Sequence, residues 1–404
     1  MRTLVVVGAN LAGGRAVEAL RADGFDGRIV LLGAEPDRPY ERPPLSKGVI
    51  RGEADPGQVF LRDASWYEEQ QIELRLGVRV TKLDPTGSVE LDGGEVLAFD
   101  VCLLATGGRV RTLDVGGSDL AGVRYLRTLQ DATTLAAELA RKPRVVVIGA
   151  GFIGAEVAAS ARSLGCEVTI IEVLDVPLLR VLGEEIGRVY AQIHREHGVD
   201  LRLGEGVERF DGSEHVEAVI GTSGRRYPAD LVVVGVGITP NVELAQDAGI
   251  VCDNGIVVDE LCRTSAGNVF AAGDVAKRPD VYSGGMIRPE HFQNAQNQGP
   301  AAARSMLGRG EPFQEVPWFW SDQYDVNLQM LGYTTPDKER VVRGSFESRN
   351  FIAFFLEADR VIAAIALNRG RDIAATRRLI ERRIAVDRTK LADEDVALKD
   401  LLRA

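Results

Sequence analysis

One stretch, Val145–Glu172 (VVVIGAGFIGAEVAASARSLGCEVTIIE), constrains the fold of this chain more than any other. It consists of a short apolar run, a glycine-rich turn, a segment with helical periodicity and a second β-branched run that stops at an acid. This order predicts strand, turn, helix and strand, the context in which a GxGxxG motif indicates a dinucleotide-binding fold. Gly149 permits the tight turn, Gly151 lets the backbone approach a pyrophosphate, and Gly154 lets helix and strand pack closely.

The acid at the end of this stretch, Glu172, indicates which dinucleotide binds. Its carboxylate can accept both ribose hydroxyls of the adenosine half and would repel a 2′-phosphate, which predicts NAD(H) rather than NADP(H). The helix N-terminus adds unpaired N–H groups and a positive dipole end for the phosphates. A glycine turn without a ligand is the alternative, and the flanking strands and the acid weaken it. The NAD contacts expected here are Gly149, Gly151, Phe152, Ile153, Gly154 and Glu172.

The N-terminal residues repeat the pattern imperfectly, because Asn10 stands where the middle glycine is expected. Asparagine tolerates left-handed backbone better than most residues with side chains, so the turn can form, but the approach to the phosphates is more crowded. Glu35 follows the end of the second strand, which leaves open the group that binds this ribose. The expected contacts are Gly8, Asn10, Leu11, Ala12, Gly13 and Glu35.

Two such folds, roughly 140 residues apart, form a structural repeat that requires two dinucleotides. We expect one to be a resident prosthetic group and the other an exchanging substrate. The sequence therefore predicts a flavoprotein that contains FAD and uses a nicotinamide nucleotide.

Composition excludes several other classes of protein. A length of 404 residues predicts two or three domains, and a net charge of −11 disfavours a general nucleic-acid or anionic-membrane binder. The apolar runs are too short to span a membrane, and the N-terminus enters a strand without a signal peptide, so we expect a cytoplasmic protein. The four cysteines form no CxxC pair, which predicts buried thiols and no metal site.

The segment PYERPPLSK, which contains Arg42 and Lys47, resembles the FAD-dependent NADH:ferredoxin reductases of oxygenase and P450 systems, of the putidaredoxin reductase and biphenyl dioxygenase reductase type. The resemblance implies that both side chains face FAD and that Lys47 approaches the flavin ring. Without it, a proline-rich connection with solvated Arg42 and Lys47 would be the preferred interpretation. A fixed ammonium near the flavin would stabilise the anionic reduced ring.

Later motifs extend the resemblance over nearly the whole chain. LLATGG and TSAGNVFAAGD match FAD signatures of the glutathione-reductase-type superfamily, and an N-cap before Val275 is the competing account of Asp274. Gly237 matches a position close to NAD, and Arg180 one near its adenosine, with a structural role equally open for Arg180. Glu290 is a candidate on the nicotinamide side. The further FAD and flavin-side residues that the resemblance implies are Val80, Ala105, Thr106, Gly107, Arg127, Gly273, Asp274, Phe292 and Trp320.

Three residues are catalytic candidates: Lys47, Glu156 and Trp320. In the family, the residue at Glu156 meets the nicotinamide amide and can pair with the motif lysine; a partner for the helix dipole is the equal alternative. Trp320 matches an aromatic residue near the flavin and the partner surface, whereas its alternative is packing in a sheet.

The resemblance implies an α/β protein with two Rossmann-like dinucleotide-binding domains and a C-terminal α+β domain. We expect residues 1–112 and 237–316 to form a discontinuous FAD-binding domain, residues 113–236 an inserted NAD-binding domain, and residues 317–404 an interface domain. In the last, three alternating apolar segments followed by a helix over 372–383 predict an antiparallel sheet with a covering helix.

The implied function is transfer of electrons from NADH through FAD to a [2Fe–2S] ferredoxin, by a monomer or weak homodimer. Residues 360–390 carry nine basic and three acidic side chains, and such a positive segment suits docking of an acidic ferredoxin, although solvated helix faces often look alike. Alternatives are a rubredoxin reductase or NADH oxidase of the same fold, or an NADH-responsive interaction protein similar to apoptosis-inducing factor. A disulfide or peroxide acceptor is disfavoured, because no redox cysteine pair is present.

Overall fold

The structure is a computed structural model that describes residues 2–333 and 338–403. The described chain divides into two compact units, each made of three separate segments. The first unit comprises residues 2–42, 57–109 and 239–317, and the second comprises residues 43–56, 110–238 and the C-terminal residues from 318. The first unit is discontinuous, as expected for the FAD-binding fold. The bounds of the four segments given above stay a prediction.

A five-stranded parallel sheet forms the centre of the first unit. Its strands are runs of Val, Ile and Leu that are buried on both faces, which is typical of a parallel sheet covered on both sides. In sheet order the strands are Val269–Ala271, Val101–Leu104, Thr3–Val7, Arg28–Gly33 and Ile72–Leu76.

Helix Leu11–Ala22 connects strands Thr3–Val7 and Arg28–Gly33 and packs against helix Phe292–Met306. The two helices approach closely at Gly299, where an added Cβ would lie 2.2 Å from the Ala12 carbonyl oxygen. The other helical segments of this unit are Ala64–Glu69 and Glu243–Asp247, with a 3₁₀ turn at Pro56–Val59. Its smaller sheets contain Val80–Asp84, Ser88–Leu91 and Val96–Ala98, and Ile256–Val257, Ala276–Asp280 and Gly285–Ile287.

The second unit contains another five-stranded parallel sheet. Its strand order repeats that of the first sheet, with the glycine-turn strand in the centre, its two successors on one side and the returning strand on the other. This repetition confirms the two nucleotide-binding folds predicted from the two glycine motifs. In sheet order the strands are Asp200–Leu203, Glu167–Glu172, Arg144–Ile148, Leu231–Val234 and Val123–Tyr125.

The C-terminal residues add a five-stranded antiparallel sheet to the second unit, as predicted. Helix Leu179–Glu196 packs on it, because Leu182, Ile186 and Tyr190 recur every fourth residue and meet Phe351 and Phe355 of the sheet. In sheet order the strands are Trp318–Gln323, Val326–Leu331, Arg360–Leu367, Asn350–Glu357 and Glu339–Ser345.

The remaining elements connect these sheets. The α-helices are Leu129–Leu139, Phe152–Ser163, Gly370–Glu381 and Arg388–Ala392, with a π-helical turn at Leu45–Val49 and a 3₁₀ helix at Leu398–Arg403. The remaining strands are Gly108–Val110, Val207–Gly212, Val216–Gly221, Arg226–Pro228 and Ile238–Pro240. Within residues 2–333 and 338–403, no helix combines the length and apolar composition needed to cross a membrane.

Candidate functional site

The glycine turn of the second unit has the geometry that a dinucleotide requires. Gly149 has a φ of +93°, and a Cβ on Gly154 would lie 2.1 Å from the Gly149 carbonyl oxygen, so both positions exclude side chains for reasons internal to the protein. At Gly151, by contrast, the nearest atom to an added Cβ is 3.9 Å away. The space beside Gly151 is therefore open at the start of helix Phe152–Ser163, which has no side-chain N-cap. A pyrophosphate fits this position.

Glu172 lies at the end of the second strand of this sheet, where the sequence predicted it, and it is buried. Its Oε2 accepts a hydrogen bond from the Ala150 N–H at 2.6 Å, and its Oε1 accepts one from the Leu174 N–H at 2.9 Å. A carboxylate has further lone pairs, so these bonds fix its orientation without exhausting its capacity to accept.

The other expected NAD contacts surround the same helix start or lie on the surface of the second unit. Phe152 packs against Phe319 with ring centroids 4.4 Å apart, and Ile153 is 46% exposed although it is large and apolar. Arg180 is exposed, and Gly237 is exposed with a φ of +100°.

The first glycine turn, in the first unit, is held by the same kind of close contact. Gly8 has a φ of +118°, and an added Cβ there would lie 2.1 Å from the Ala105 carbonyl oxygen; one on Gly13 would lie 2.0 Å from the Gly8 carbonyl oxygen. The left-handed residue is therefore Gly8, whereas Asn10 is extended, with φ −104° and ψ −164°. The turn forms, as expected, but the tolerance of asparagine for left-handed backbone is not used, since the turn closes at the glycine.

The Asn10 side chain is held by Arg42, whose Nη2 donates to its Oδ1. The same guanidinium pairs with Glu35 at 2.6 Å and donates to the Tyr40 hydroxyl at 2.8 Å, while that hydroxyl donates to Glu35 at 2.5 Å. Burial lowers the pKa of Arg42, but its interactions with Tyr40, Glu35 and Asp274 outweigh this effect and raise that pKa. Glu35 thus fixes Arg42 beside the turn, and the side chain of Asn10 is directed to Arg42.

The remaining FAD candidates of the first unit lie around the carboxyl ends of its parallel strands. Thr106 exchanges hydrogen bonds with Asn241 at 2.8 Å in each direction, which fixes the turn after strand Val101–Leu104. The Gly273 N–H donates to Gln298 at 2.9 Å. A strand, Ala276–Asp280, follows Asp274, so the N-cap account of Asp274 is wrong. Of the others, Ala105 is buried, Val80, Gly107 and Phe292 are partly buried, and Glu290 is exposed and pairs with Arg288.

Lys47 and Glu156 form an ion pair inside the second unit, with 2.8 Å between the ammonium and Oε2. Glu156 is only 3% exposed, so its charge needs several donors. The Ser46 hydroxyl donates to Oε2 at 2.5 Å, and the Ser321 hydroxyl donates to Oε1 at 2.7 Å. The pairing that the resemblance implied is therefore present, and two serines complete it.

Trp320 and Arg127 also belong to the second unit, and both are partly buried. Trp320 stacks on Trp318 with ring centroids 5.0 Å apart, because alternate residues of strand Trp318–Gln323 share one face. Arg127 precedes helix Leu129–Leu139, and its backbone N–H donates to Asp131 at 3.0 Å.

The cysteines are free thiols: Cys102, Cys166 and Cys262 are buried and Cys252 is partly buried. Burial raises the pKa of Cys262 to about 12, so this thiol is a poor nucleophile. Within the described residues, no group of three or more His, Cys, Asp or Glu side chains suits a metal ion.

Sequence reasoning missed Ser46 and Ser321 as partners of Glu156. They lie 110 and 165 residues from it in the chain, so no local spacing indicates the contact. The only signal in the sequence was that Ser46 directly precedes Lys47 and Ser321 directly follows Trp320, both of which were catalytic candidates.

Two family models match the chain. Residues 2–299 match the pyridine nucleotide-disulphide oxidoreductases, and residues 318–402 match the reductase C-terminal domain. The pyridine nucleotide-disulphide oxidoreductases use FAD and NAD(H), and the two glycine turns described above fit two such dinucleotides.

Curated relatives are similar over their full length. The ferredoxin–NAD(+) reductase component of the anthranilate 1,2-dioxygenase system of Burkholderia cepacia is 45% identical over 402 residues, which is 98% of each chain. Putidaredoxin reductase of Pseudomonas putida is 38% identical over 99% of this chain and 97% of its own. The crystal structure of the covalent putidaredoxin reductase–putidaredoxin complex superposes with a TM-score of 0.97 at 38% identity, covering 100% of this chain and 98% of that one.

The matched models and the full-length relatives agree with the two sheets, the two glycine turns and the C-terminal domain. The chain therefore belongs to the pyridine nucleotide-disulphide oxidoreductase family and, within it, to the ferredoxin–NAD(+) reductases.

Proposed function

We propose that this protein transfers electrons from NADH, through FAD, to a [2Fe–2S] ferredoxin that supplies a P450 or a Rieske-type oxygenase. The observation that carries the proposal is the buried Lys47–Glu156 pair. Glu156 lies on the helix that starts at the glycine turn of the second unit, to which we assign NAD, and Lys47 belongs to the motif assigned to FAD. Relatives at 45% and 38% identity that are named as ferredoxin or putidaredoxin reductases support the same reaction.

We assign the NAD-binding role to the glycine turn of the second unit and to Glu172. The free N–H groups at the start of helix Phe152–Ser163 hold the pyrophosphate, and Glu172 accepts from the ribose and repels a 2′-phosphate. The further NAD residues of the proposal are Ile153, Arg180 and Gly237.

We assign the FAD-binding role to the first glycine turn with Arg42 and Asp274. Arg42 is held by Glu35 and places a fixed positive charge beside the turn, where a pyrophosphate needs one. Glu290 is assigned to the nicotinamide side. The other FAD residues of the proposal are Gly8, Asn10, Leu11, Ala12, Gly13, Val80, Ala105, Thr106, Gly107, Arg127, Gly273, Phe292 and Trp320.

The reaction balances as one NADH and two oxidised ferredoxins giving NAD⁺, one proton and two reduced ferredoxins. Bound FAD supplies the change from a two-electron donor to a one-electron acceptor. Glu156 accepts from the carboxamide of the nicotinamide and so orients its ring. The Lys47 ammonium would favour negative charge on the flavin ring, and its own charge is balanced by Glu156.

We further propose an enzyme that works in the cytoplasm as a monomer or weak homodimer, binds neither nucleic acid nor membrane, and contains no metal of its own. The net charge of −11 supports the proposal that the protein binds neither nucleic acid nor membrane.

The test is reduction of cytochrome c by the purified yellow protein with NADH, with and without an added [2Fe–2S] ferredoxin. We expect a rate that depends strongly on the ferredoxin and is much lower with NADPH. If NADH reduces the flavin and no ferredoxin raises the rate, the acceptor is wrong, and oxygen or rubredoxin becomes the next candidate.

A further inference from the structure

A chain of hydrogen-bonded side chains runs through the second unit from Glu156 to Tyr324. Ser321 Oγ lies 2.7 Å from Glu156 Oε1, and Gln323 Nε2 lies 3.3 Å from Ser321 Oγ. His194 Nε2 lies 3.1 Å from Gln323 Oε1, and His194 Nδ1 lies 3.1 Å from the Tyr324 hydroxyl. Glu156, Ser321, Gln323 and His194 are each at most 3% exposed. Water cannot supply alternative partners to groups buried so deeply, so these bonds determine one another.

The direction of every bond in this chain follows from Glu156. Its carboxylate meets the Lys47 ammonium and only accepts, so the single hydroxyl hydrogen of Ser321 must be donated to it. Ser321 Oγ then accepts from the amide NH₂ of Gln323, which leaves the Gln323 carbonyl oxygen facing the imidazole. That oxygen needs a donor, so His194 carries its hydrogen on Nε2.

The outer end of the chain agrees with this direction. A neutral imidazole protonated on Nε2 has a lone pair on Nδ1, which accepts from the Tyr324 hydroxyl. All the donors therefore point towards Glu156, from Tyr324 through His194, Gln323 and Ser321. Tyr324 is held in turn by His197, on which its ring stacks with centroids 3.7 Å apart.

We propose that Ser321 is the positioning residue of Glu156, and that Gln323 and His194 keep its hydroxyl directed at that carboxylate. This inference rests on the proposed function, in which Glu156 orients the nicotinamide. Ser46 and Lys47 both bind Oε2, so Ser321 is the donor that fixes the other oxygen and hence the plane of the carboxylate. Without the Ser321 hydroxyl, Oε1 loses this donor and the plane of the carboxylate is no longer fixed. The nicotinamide that the carboxylate orients then loses its fixed orientation.

The adenosine half of NADH binds elsewhere, at the glycine turn and Glu172, so loss of Ser321 leaves most binding contacts intact. We therefore expect a loss in the rate of hydride transfer and little change in the affinity for NADH. A lower rate with an unchanged affinity for NADH distinguishes a positioning role from a purely structural one, because a misplaced nicotinamide reacts slowly even when NADH saturates the protein.

The experiment compares Ser321→Ala with Ser321→Thr in the holoenzyme, by stopped-flow bleaching of the flavin with NADH in the absence of ferredoxin. We expect Ser321→Ala to lower the rate at saturating NADH about tenfold, with the Kd for NADH within threefold of the wild-type value. Ser321→Thr keeps the hydroxyl and should restore most of the rate. Gln323→Glu removes the NH₂ donor, turns the Ser321 hydroxyl towards residue 323, and should slow the reaction as Ser321→Ala does.

A second measurement does not depend on activity: ¹⁵N NMR of the four histidines, with His194→Gln used to assign the signal. We expect a neutral His194 with its hydrogen on Nε2 between pH 6 and 8 in the wild-type protein, whether or not the Ser321 variants fold. An Nδ1–H tautomer would overturn the inference, as would a Ser321→Ala protein reduced at the wild-type rate.

The two possible failures can be told apart. The flavin-bleaching assay contains no ferredoxin, so a wrong acceptor leaves its result unchanged. Conversely, a wild-type protein that depends on ferredoxin, together with an unaffected Ser321→Ala variant, would retain the proposed function and reject the positioning role.

Discussion

Glu172 and His194 show how burial makes single residues of this protein decisive. Each is at most 8% exposed, and each is held by hydrogen bonds from two sides. Two backbone N–H groups donate to Glu172 and hold its carboxylate beside the glycine turn of the second unit. His194 is held as a neutral imidazole by the groups around it. We therefore expect Glu172 to govern the preference for one nucleotide and His194 to govern the stability of the protein in acid.

Glu172→Gln should weaken the preference for NADH. The amide has nearly the shape of the carboxylate but no charge to repel a 2′-phosphate, so we expect the ratio of kcat/KM for NADH to that for NADPH to fall about tenfold, which corresponds to about 1.4 kcal/mol. Steady-state kinetics with both nucleotides measures this ratio. Glu167→Gln, at the exposed start of the same strand, is the control and should leave the ratio unchanged. A ratio unaltered in Glu172→Gln would show that another group selects the nucleotide.

His194 should make the protein less stable in acid. Burial lowers the pKa of His194 to about 4 in the folded protein, whereas the unfolded chain has an ordinary value of about 6.5. Between these values the unfolded chain binds a proton that the folded protein does not, so the free energy of unfolding falls as the pH falls, by roughly 3 kcal/mol between pH 7 and pH 4.

The measurement is the thermal midpoint of the holoenzyme against pH, for the wild-type protein and His194→Gln. We expect a shallower loss of stability below pH 6.5 in the variant. Burial lowers the pKa of His291 to about 4 as well, but His291 is present in both proteins, so their difference reports His194 alone. Parallel curves would contradict the assignment.

At the scale of elements, the two glycine turns use glycine for two different reasons. Some positions exclude a side chain because backbone lies against them, as Gly154 does against the Gly149 carbonyl oxygen. Gly151 has no such neighbour closer than 3.9 Å, and we propose that its missing side chain leaves room for the dinucleotide. In the first turn Asn10 occupies the equivalent place, and its side chain bonds to Arg42.

Gly151→Ala and Gly154→Ala should therefore differ. We expect Gly151→Ala to raise the KM for NADH at least tenfold while the thermal midpoint stays nearly constant, because alanine fits the backbone there. Gly154→Ala should lower stability by about 1–3 kcal/mol as well, because its Cβ meets a carbonyl oxygen. Thermal unfolding and NADH titration distinguish the two, and equal loss of stability in both variants would refute the division.

The same elements show how far the sequence could be interpreted. Both turns were predictable because strand, turn and helix are contiguous in the sequence, and in the second unit Glu172 also ends the following strand. The C-terminal sheet was predicted only in part, since the hairpin between Trp318–Gln323 and Val326–Leu331 turns at Tyr324, whose φ of +56° is usually assigned to glycine or asparagine. The partners of Glu156 were not predictable, because Ser46 and Ser321 reach it only through the tertiary fold.

For the whole molecule, the main feature is a net charge of −11 combined with a segment, residues 360–390, that is net positive. Part of that positive charge is neutralised, since Arg369 pairs with Asp372 and Glu394, and Arg388 pairs with Glu339. Exposed Arg371, Arg378 and Arg382 remain, and their spacing places them along one side of helix Gly370–Glu381 and its end.

Arg378→Glu should raise the KM for the ferredoxin several-fold and reduce the dependence of that KM on salt, without changing the KM for NADH. Arg371, Arg378 and Arg382 attract an acidic partner, and salt at 0.1 M screens this attraction beyond about 10 Å. Arg141→Glu, an exposed arginine in another part of the chain, makes the same change of net charge and is the control. If both variants behave alike, net charge and not this helix governs docking.

Glu156 also bears on the order in which the protein can become active during its synthesis. Its donors come from residues 46, 47 and 321, so the last donor emerges from the ribosome after most of the chain has been made. Both nucleotide-binding sheets can be complete before that point. A chain that stops short of the C-terminal sheet would thus lack the Ser321 donor of Glu156, and we expect the full rate of reduction by NADH only in the finished polypeptide.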